Sequence, residues 1–273
     1  MSFSINSNLG ALNAYNALAK VNAQTQKAQT QLATGQRINS SGDDSSGYRV
    51  GKELQSKIAL MTSAQGNIDS AKNMLSTAES ALSNVNDLLT QIKGEVGGAN
   101  DPAKNLASIS KDILAMGDEI KSIFTNTKFN DTSLLTASTD AALKFKFSTG
   151  AQTADTINID LSALRSLDLS SITTGSTGVL TSATVGALNV DTLQSKVEDA
   201  LGNIGNYNQR LDVKSNYLTS AISNAQASVS KIFDADMAMG QLDSTKGTIG
   251  GQVSTSMLSQ LNSAPSSIMK LFQ

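Results

Sequence analysis

The strongest pattern in the chain is an unbroken heptad repeat of apolar residues between positions 54 and 96. Two apolar positions, three residues apart, each recur every seven residues, as they do in coiled-coil helices. The first holds Leu54, Met61, Ile68, Leu75, Leu82, Leu89 and Val96, and the second holds Ala64, Ala71, Ala78, Val85 and Ile92. The repeat predicts a helix from about Ser46 to Val96, roughly 65 Å long over the repeat itself. A helix of this length must bury its apolar seam against other long helices.

A second long helix of about 40 residues is predicted from Val190 onward. Its apolar positions also recur every seven residues: Val197, Ile204, Leu211, Leu218, Ala225 and Ile232. Between the two long helices, a shorter stripe at 3–4 spacing predicts a helix over 102–123, with Asp101 as its N-cap and Pro102 as its first residue. Its apolar positions are Leu106, Ile109, Ile113, Met116, Ile120 and Ile123. The short connection predicts that this helix folds back antiparallel on the first.

The two chain ends resemble each other, because both are poor in charge and carry apolar residues at helical spacing. The N-terminal positions are Ala11, Ala14, Leu18, Val21, Ala28 and Leu32, and the C-terminal ones are Leu242, Ile249, Val253, Met257, Leu261, Ile268 and Leu271. Pro265 predicts a kink or break near the end. Two paired helices cannot enclose a core, so we expect their remaining apolar faces to be buried against copies of the same chain. A head-to-tail contact, in which different surfaces of two copies meet, gives a closed ring or a helical filament.

The segment 137–189 is rich in Ser, Thr and Gly and contains two runs with period-two alternation. Leu143, Phe145 and Phe147 alternate with lysines, and 156–161 alternates as well, which predicts a β-hairpin; loops are expected after Leu169. The predicted fold is mainly α: long antiparallel helical rods or a coiled-coil bundle with a small β-hairpin insert and paired N- and C-termini. The expected domains are 1–44 with 233–273, 45–136 with 190–232, and the insert 137–189.

Composition argues against chemistry as the function. The chain has no His, Cys or Trp, so it lacks a Cys or Ser-His nucleophile system and imidazole or thiolate metal ligands. We predict no enzyme activity, no catalytic or metal residues and no cofactor. The net charge of −2 without a basic stripe predicts no nucleic-acid partner, and no apolar run is long enough for membrane insertion. Asp43 and Asp44, near Arg37 and Arg49, suggest either a cation site or a salt-bridged connector, and the connector is favoured.

Several motifs at the two ends resemble those of bacterial flagellins. Residues 32–54 read LATGQRINSSGDDSSGYRVGKEL, residues 208–212 read NQRLD, residues 231–238 read KIFDADMA, and the chain ends in SAPSSIMKLFQ. Within the first motif the matching positions are Gly35, Arg37, Ile38, Asn39, Asp43, Asp44 and Gly47. KFND at 128–131 and the hairpin sequence at 144–161 also match. The chain resembles a short flagellin of the α-proteobacterial type, in which the outer variable domain is essentially absent.

This resemblance implies a structural subunit of the flagellar filament, which assembles into a hollow helical polymer and acts as a motility propeller. It also implies an extracellular location reached without a cleaved signal peptide. The implied partners are copies of the chain itself, a flagellar export chaperone and the type III export apparatus, and hook-associated and cap proteins. Alternatives are a hook–filament junction protein, a secreted coiled-coil binding module and, remotely, a carboxylate hydrolase.

The terminal seams and the family motifs together give a predicted polymerisation interface. Its residues are Leu18, Val21, Leu32, Arg37, Ile38, Asn39, Asp43, Asp44, Ile232, Asp234, Asp236, Ile249, Val253, Met257, Leu261, Ile268 and Leu271. A further hypothesis is that the small residues Ala64, Gly66, Ala71 and Ala78 let neighbouring copies slide lengthwise between two packings.

Overall fold

The computed structural model describes residues 9–99, 101, 104–136, 143–150, 152, 155–162, 169, 172–173, 185 and 188–271, with side chains described as far as residue 263. These residues form helices and two short β-hairpins, so the predicted mainly α fold is confirmed. In chain order the elements are α1 (Leu9–Thr34), α2 (Ser45–Gly98), α3 (Leu106–Asn126), β1 (Lys128–Phe129), β2 (Thr132–Ser133), β3 (Lys144–Ser148), β4 (Thr156–Asp160), α4 (Val190–Phe233) and α5 (Met237–Leu271). Among the described residues, no helix is both long enough and apolar enough to cross a membrane.

Internal contacts divide the chain into two compact units. The first consists of Met1–Ile58 and Ser223–Gln273, and the second of Ala59–Ile222. The first unit contains α1 and α5 with the adjoining ends of α2 and α4, and the second contains the rest. The domain boundaries expected at residues 44 and 233 stay predictions.

The core of the second unit is the predicted heptad seam. Its central residues from Met61 to Ile92 are at most 4% exposed, whereas Leu54 and Val96, at the two ends of the seam, are half-buried. Val197, Ile204, Leu211 and Leu218 of α4 are buried as well. Helices α2 and α4 run antiparallel, because Gln65 donates to Ser215 at 2.6 Å while Lys93 pairs with Asp191 at 2.6 Å.

The burial of Ala64, Ala71 and Ala78 contradicts the sliding hypothesis for these three residues, whereas Gly66 is exposed. Each of the three is at most 2% exposed inside the chain's own helical bundle. Residues already enclosed by their own chain cannot form the surface along which neighbouring copies slide. Their small side chains instead allow close packing of helices within the unit.

The predicted start of the third helix is wrong. Helix α3 begins at Leu106, and its N-cap is Asn105, whose side chain accepts from the backbone N–H of Ala107 at 3.0 Å. Asp101 instead lies in a turn, where its carbonyl accepts from the N–H of Lys104 at 3.0 Å. Asn and Asp are nearly equal as N-caps, so residue preference alone could not choose between these positions.

The buried face of α3 includes a glycine that the apolar pattern does not reveal. Ile109, Ile113 and Ile120 are buried as predicted, but between them Gly117 faces the core and Met116 is only half-buried. A Cβ atom at Gly117 would overlap the backbone carbonyl of Ile172. The missing side chain therefore lets the backbone of Ile172 lie directly on α3.

Gly117→Ala is expected to destabilise the second unit by about 1–3 kcal/mol, because a backbone carbonyl cannot move aside as a side chain can. Gly94→Ala is the matched control, since a Cβ there meets nothing within 4 Å. That substitution should stabilise α2 by about 0.5–1 kcal/mol through helix propensity. Urea unfolding of both variants measures the two changes, and a Gly117→Ala variant as stable as Gly94→Ala would contradict the close packing.

The predicted hairpin is confirmed, and a second one was missed. Strands β3 and β4 pair antiparallel from Lys144 opposite Asp160 to Ser148 opposite Thr156, and the N–H of Asp160 donates to the Tyr207 hydroxyl of α4 at 3.3 Å. Strands β1 and β2 form a shorter hairpin around Asn130 and Asp131, whose φ angles are 49° and 61°. Asn and Asp tolerate positive φ, which a two-residue hairpin turn of this kind requires.

The expected break at Pro265 does not occur, since α5 continues to Leu271. A proline removes one helical hydrogen bond, and a helix can continue past that loss. Most of the segment after Leu169, where loops are predicted, lies outside the described residues.

Candidate interaction surface of the terminal helices

The two connectors that join the terminal helices to the long helices lie side by side. The N–H of Arg37 donates to the carbonyl of Phe233 at 2.5 Å, and the N–H of Ala235 donates to the carbonyl of Gly35 at 2.9 Å. Gly35 ends α1 with a φ of 69°, a conformation that glycine adopts without strain. These bonds tie residues 35–37 to residues 233–235. We call the two connectors with their flanking residues, 35–44 and 232–236, the junction.

Arg37, a predicted interface residue, binds within its own chain. Its guanidinium donates to the carbonyl of Ile232 at 2.8 Å, at the C-terminal end of α4. The last carbonyls of a helix have no partner inside the helix, and the helix dipole favours a cation there. The carbonyl of Arg37 accepts in turn from the Gln31 side chain at 2.7 Å. Arg37 thus holds the two chain ends in register.

Asp43 closes the loop between α1 and α2. One carboxylate oxygen accepts from the N–H groups of Asn39 and Ser40 at 3.2 and 3.1 Å, and the other pairs with Lys27 at 2.9 Å. The bond from Lys27, followed by the Ser40 hydroxyl, lowers the pKa of Asp43 from 3.8 to about 2. The salt-bridged connector is therefore the reading that the geometry supports, with Lys27 as the partner. Among the described residues, no cluster of three or more acidic, His or Cys side chains could hold a metal ion.

A pKa that folding depresses makes the stability of the junction depend on acid. The contribution of Asp43 is present above its unfolded pKa near 4 and is lost as the pH falls toward 2. We expect the melting temperature of wild type to fall more steeply between pH 4 and pH 2 than that of Asp43→Asn. Lys27→Gln should likewise make the melting temperature depend less on pH. The double variant, Lys27→Gln with Asp43→Asn, should behave nearly as either single variant does. Parallel pH profiles for wild type and Asp43→Asn would contradict this role.

Two further predicted residues are helix caps, and one lies in the interior. Asp44 accepts from the N–H of Gly47 at 2.8 Å at the start of α2. Asp236 accepts from the N–H groups of Ala238 and Met239 at 2.9 and 3.1 Å at the start of α5. The N-cap geometry of these two aspartates satisfies helix N–H groups that have no partner inside the helix. Ile38, in contrast, is buried at 1% exposure.

The remaining motif residues of the junction are Asn39, Ile232 and Asp234. Asn39 is half-buried, and its side chain donates to the carbonyl of Gln36 at 2.9 Å. Ile232 is half-buried, whereas Asp234 is exposed and its backbone pairs with Gln36. The structure thus brings the motif residues of both ends together in a single junction within one chain.

Sequence reasoning missed the residues that fill this junction. Phe233 is 3% exposed, and its ring packs edge-on against Tyr48 with the ring centroids 6.2 Å apart. A Cβ at Gly51 would overlap the Phe233 ring, so glycine at that position provides the space. In the sequence, this contact was indicated by Phe233 at the end of one long helix and Gly51 near the start of the other.

The α1–α5 pair meets through small side chains. The half-buried residues of α5 are all small except the last: Gly240, Ser244, Gly247, Gly250, Gly251, Ser254 and Leu258. A Cβ at Gly240 would lie 3.2 Å from Leu32, and one at Gly250 would lie 3.6 Å from Val21. The predicted residues Leu18, Val21 and Leu32 are half-buried and therefore face α5 of the same chain.

The large apolar side chains of α5 face solvent instead. Ile249 is 56% exposed, Val253 52% and Met257 60%. Leu242, which was not among the predicted interface residues, lies on the same face of the helix and is 48% exposed. We call these four residues the apolar ridge. Leu261 is exposed at 37%, and the side chains of Ile268 and Leu271 lie outside the described residues.

Comparison with known proteins identifies relatives along nearly the whole chain. The family model described as the bacterial flagellin N-terminal helical region matches residues 5–140, and that described as the C-terminal helical region matches residues 188–272. A flagellin of Bacillus subtilis (strain 168) is 29% identical over 98% of this chain and 99% of its own. A flagellin of Listeria innocua is 30% identical, with 98% of both chains covered.

A third relative is a flagellar filament 33 kDa core protein of Treponema phagedenis, which is 29% identical over 98% of this chain and 99% of its own. A crystal structure of Bacillus cereus flagellin is 24% identical and covers 59% of this chain and 88% of its own, with a TM-score of 0.39. Family membership therefore rests on the sequence matches.

Proposed function

Because this chain belongs to the bacterial flagellin family, we infer that it is a structural subunit of a flagellar filament. Relatives that match over nearly their full length carry the names flagellin and flagellar filament core protein. The function that follows is mechanical: copies of the chain stack into a hollow helical polymer that serves as a propeller. No catalytic role is assigned to any residue.

The apolar ridge is the observation that supports polymerisation. Among the described residues of the two terminal helices, only Ala28 is buried, and residues 237–263 include none that is buried. Burying the exposed half of one large apolar side chain contributes roughly 1 kcal/mol. Four such residues lie on one helix face in every copy. Their burial favours lengthwise association of each subunit with others.

The predicted interface residues divide into three groups in this proposal. Arg37, Asp43, Asp44, Asp236 and their neighbours in the junction hold α1 and α5 where they can meet other copies, so they act through positioning. The ridge residues and the C-terminal residues Leu261, Ile268 and Leu271 supply contact area between copies. Leu18, Val21 and Leu32 hold the two terminal helices together.

Family membership also supports export to the extracellular filament without a cleaved signal peptide. The proposed partners are a flagellar export chaperone, the type III export apparatus, and the hook-associated and cap proteins at the two ends of the filament. The apolar ridge would have to be covered before export, which is a task that suits a chaperone.

Seeded polymerisation tests the proposed function. Purified chain is mixed with sheared filament fragments, and growth is followed by sedimentation and electron microscopy. We expect filaments to lengthen from the seeds above a critical concentration. A chain that stays monomeric at all concentrations, with seeds present, would overturn the assignment.

A further inference from the structure

A groove runs along the α1–α5 pair on a side of α5 that the ridge does not occupy. Its volume is about 530 Å³, and none of its lining residues is charged. Its lining includes Gly247, Gly251 and Gln252 of α5 and Leu18, Asn22 and Thr25 of α1. A Cβ atom at Gly251 would lie 3.5 Å from the Asn22 side chain, so a methyl group at that position would occupy part of the groove.

The apolar ridge and Gly251, which lines the groove, lie on opposite sides of α5. Successive residues of an α-helix are about 100° apart around its axis. Ile249 and Val253 each stand two residues from Gly251, so both project roughly 160–200° away from it. One copy therefore cannot place its own ridge in its own groove.

The two surfaces are both uncharged and overlap in their extent along α5. Helix α5 carries no charged residue from Thr248 to Met269, so neither surface would bury an unpaired charge. The groove follows α5 from Gly247 to Ser256, and three of the four ridge residues, Ile249, Val253 and Met257, cover nearly the same stretch, whereas Leu242 lies beyond it. At 1.5 Å per residue each of these two stretches is about 12–15 Å long.

We propose that the apolar ridge of one copy lies in the α1–α5 groove of the next. This inference rests on the proposed function and specifies which two surfaces meet. Because ridge and groove are different surfaces, the contact is head-to-tail, and every added copy presents a new groove or a new ridge. Such a contact continues as a helical filament when its rotation does not close a ring.

Disulfide trapping tests the pairing directly, because the chain has no cysteine of its own. Val253→Cys and Asn22→Cys are prepared separately, mixed, seeded into filaments and oxidised. Ala23→Cys is the matched control for the groove variant: Ala23 is exposed, next in sequence, and about 100° around α1 from Asn22. We expect cross-linked dimers of Val253→Cys with Asn22→Cys and few with Ala23→Cys.

Three outcomes would contradict the ridge-in-groove pairing. Dimers within the Val253→Cys population alone, preferred cross-linking to Ala23→Cys, or filaments that contain no cross-link would overturn the ridge-in-groove pairing and leave the filament assignment intact. Wild-type chain that does not extend seeds would overturn the proposed function instead.

A second pair of variants covers the case in which the cysteine variants do not assemble. Gly251→Ala adds a methyl group to the groove lining, whereas Gly250→Ala lies outside the groove. Within the chain both methyl groups meet only ordinary contacts, at 3.5 Å to Asn22 and 3.6 Å to Val21. We expect Gly251→Ala to raise the critical concentration about tenfold and Gly250→Ala to leave it within about twofold. Equal effects of the two substitutions would contradict the pairing.

Discussion

Val253→Asp is expected to abolish filament formation while leaving the monomer folded. Val253 is 52% exposed in the single chain, so a carboxylate there remains hydrated and changes stability by less than about 0.5 kcal/mol. Between copies the same carboxylate would be buried without a charged partner, at a cost of several kcal/mol. Each 1.4 kcal/mol lost per contact raises the critical concentration about tenfold, so assembly should vanish at accessible concentrations.

Val253→Ile is the matched control, because it keeps the site apolar and helical. It should assemble with a critical concentration close to that of wild type. Sedimentation with seeds measures assembly, and far-UV circular dichroism with thermal melting shows that both variants remain folded. If Val253→Asp extended seeds as wild type does, the ridge would not be an assembly surface.

Deleting either residues 1–30 or residues 240–273 is expected to leave a folded chain that does not polymerise. The second unit has its own core, in which Ile68, Leu75 and Leu82 are fully buried, whereas the deleted segments include Ala28 as their one buried residue among those described. The melting temperature of the remaining helical bundle should therefore shift by only a few degrees. Helical signal should fall in proportion to the helical residues removed.

The readout for the deletions is sedimentation with wild-type seeds together with thermal melting. Full-length chain under the same conditions is the control for seed activity. Growth of filaments by either truncated chain would show that the terminal helices are dispensable for assembly. Loss of cooperative melting would show instead that the second unit depends on them.

Much of the fold was predictable because a seven-residue repeat constrains a helix strongly. The seam from Met61 to Ile92 and the α4 positions from Val197 to Leu218 follow from spacing alone, and both are buried, whereas Ala225 and Ile232 of the same repeat are half-buried. The alternation of Phe145 and Phe147 with lysines likewise predicted the β3–β4 hairpin. Patterns of this length average out the uncertainty of single residues.

Features that depend on single contacts were not predictable. The choice of Asn105 over Asp101 as N-cap, and the use of Gly117 to admit the Ile172 carbonyl, depend on tertiary packing that spacing does not encode. The β1–β2 turn had a signal in Asn130 and Asp131, but two-residue strands are too short to show alternation.

The candidate surface shows the same division. The apolar positions of α5 were evident in the sequence, but not the side of the helix that meets α1. Two stripes of α5 were candidates for the contact with α1. One consists of large side chains such as Ile249, and the other of small residues such as Gly247 and Gly251. The small stripe faces α1, where Gly247 lies directly against Thr25, and the large stripe is exposed as a result. Motif residues such as Arg37 were expected at contacts between copies, yet their visible partners are in the same chain.

The most direct test of the account is the reactivity of a single thiol at position 253. In a chain without other cysteines, Val253→Cys is alkylated as a monomer, as a filament grown from seeds, and as the unfolded chain. The account predicts that the monomer reacts nearly as fast as the unfolded chain and that the filament is strongly protected. A thiol that reacts equally fast in filament and monomer would contradict the claim that copies of the chain cover the apolar ridge.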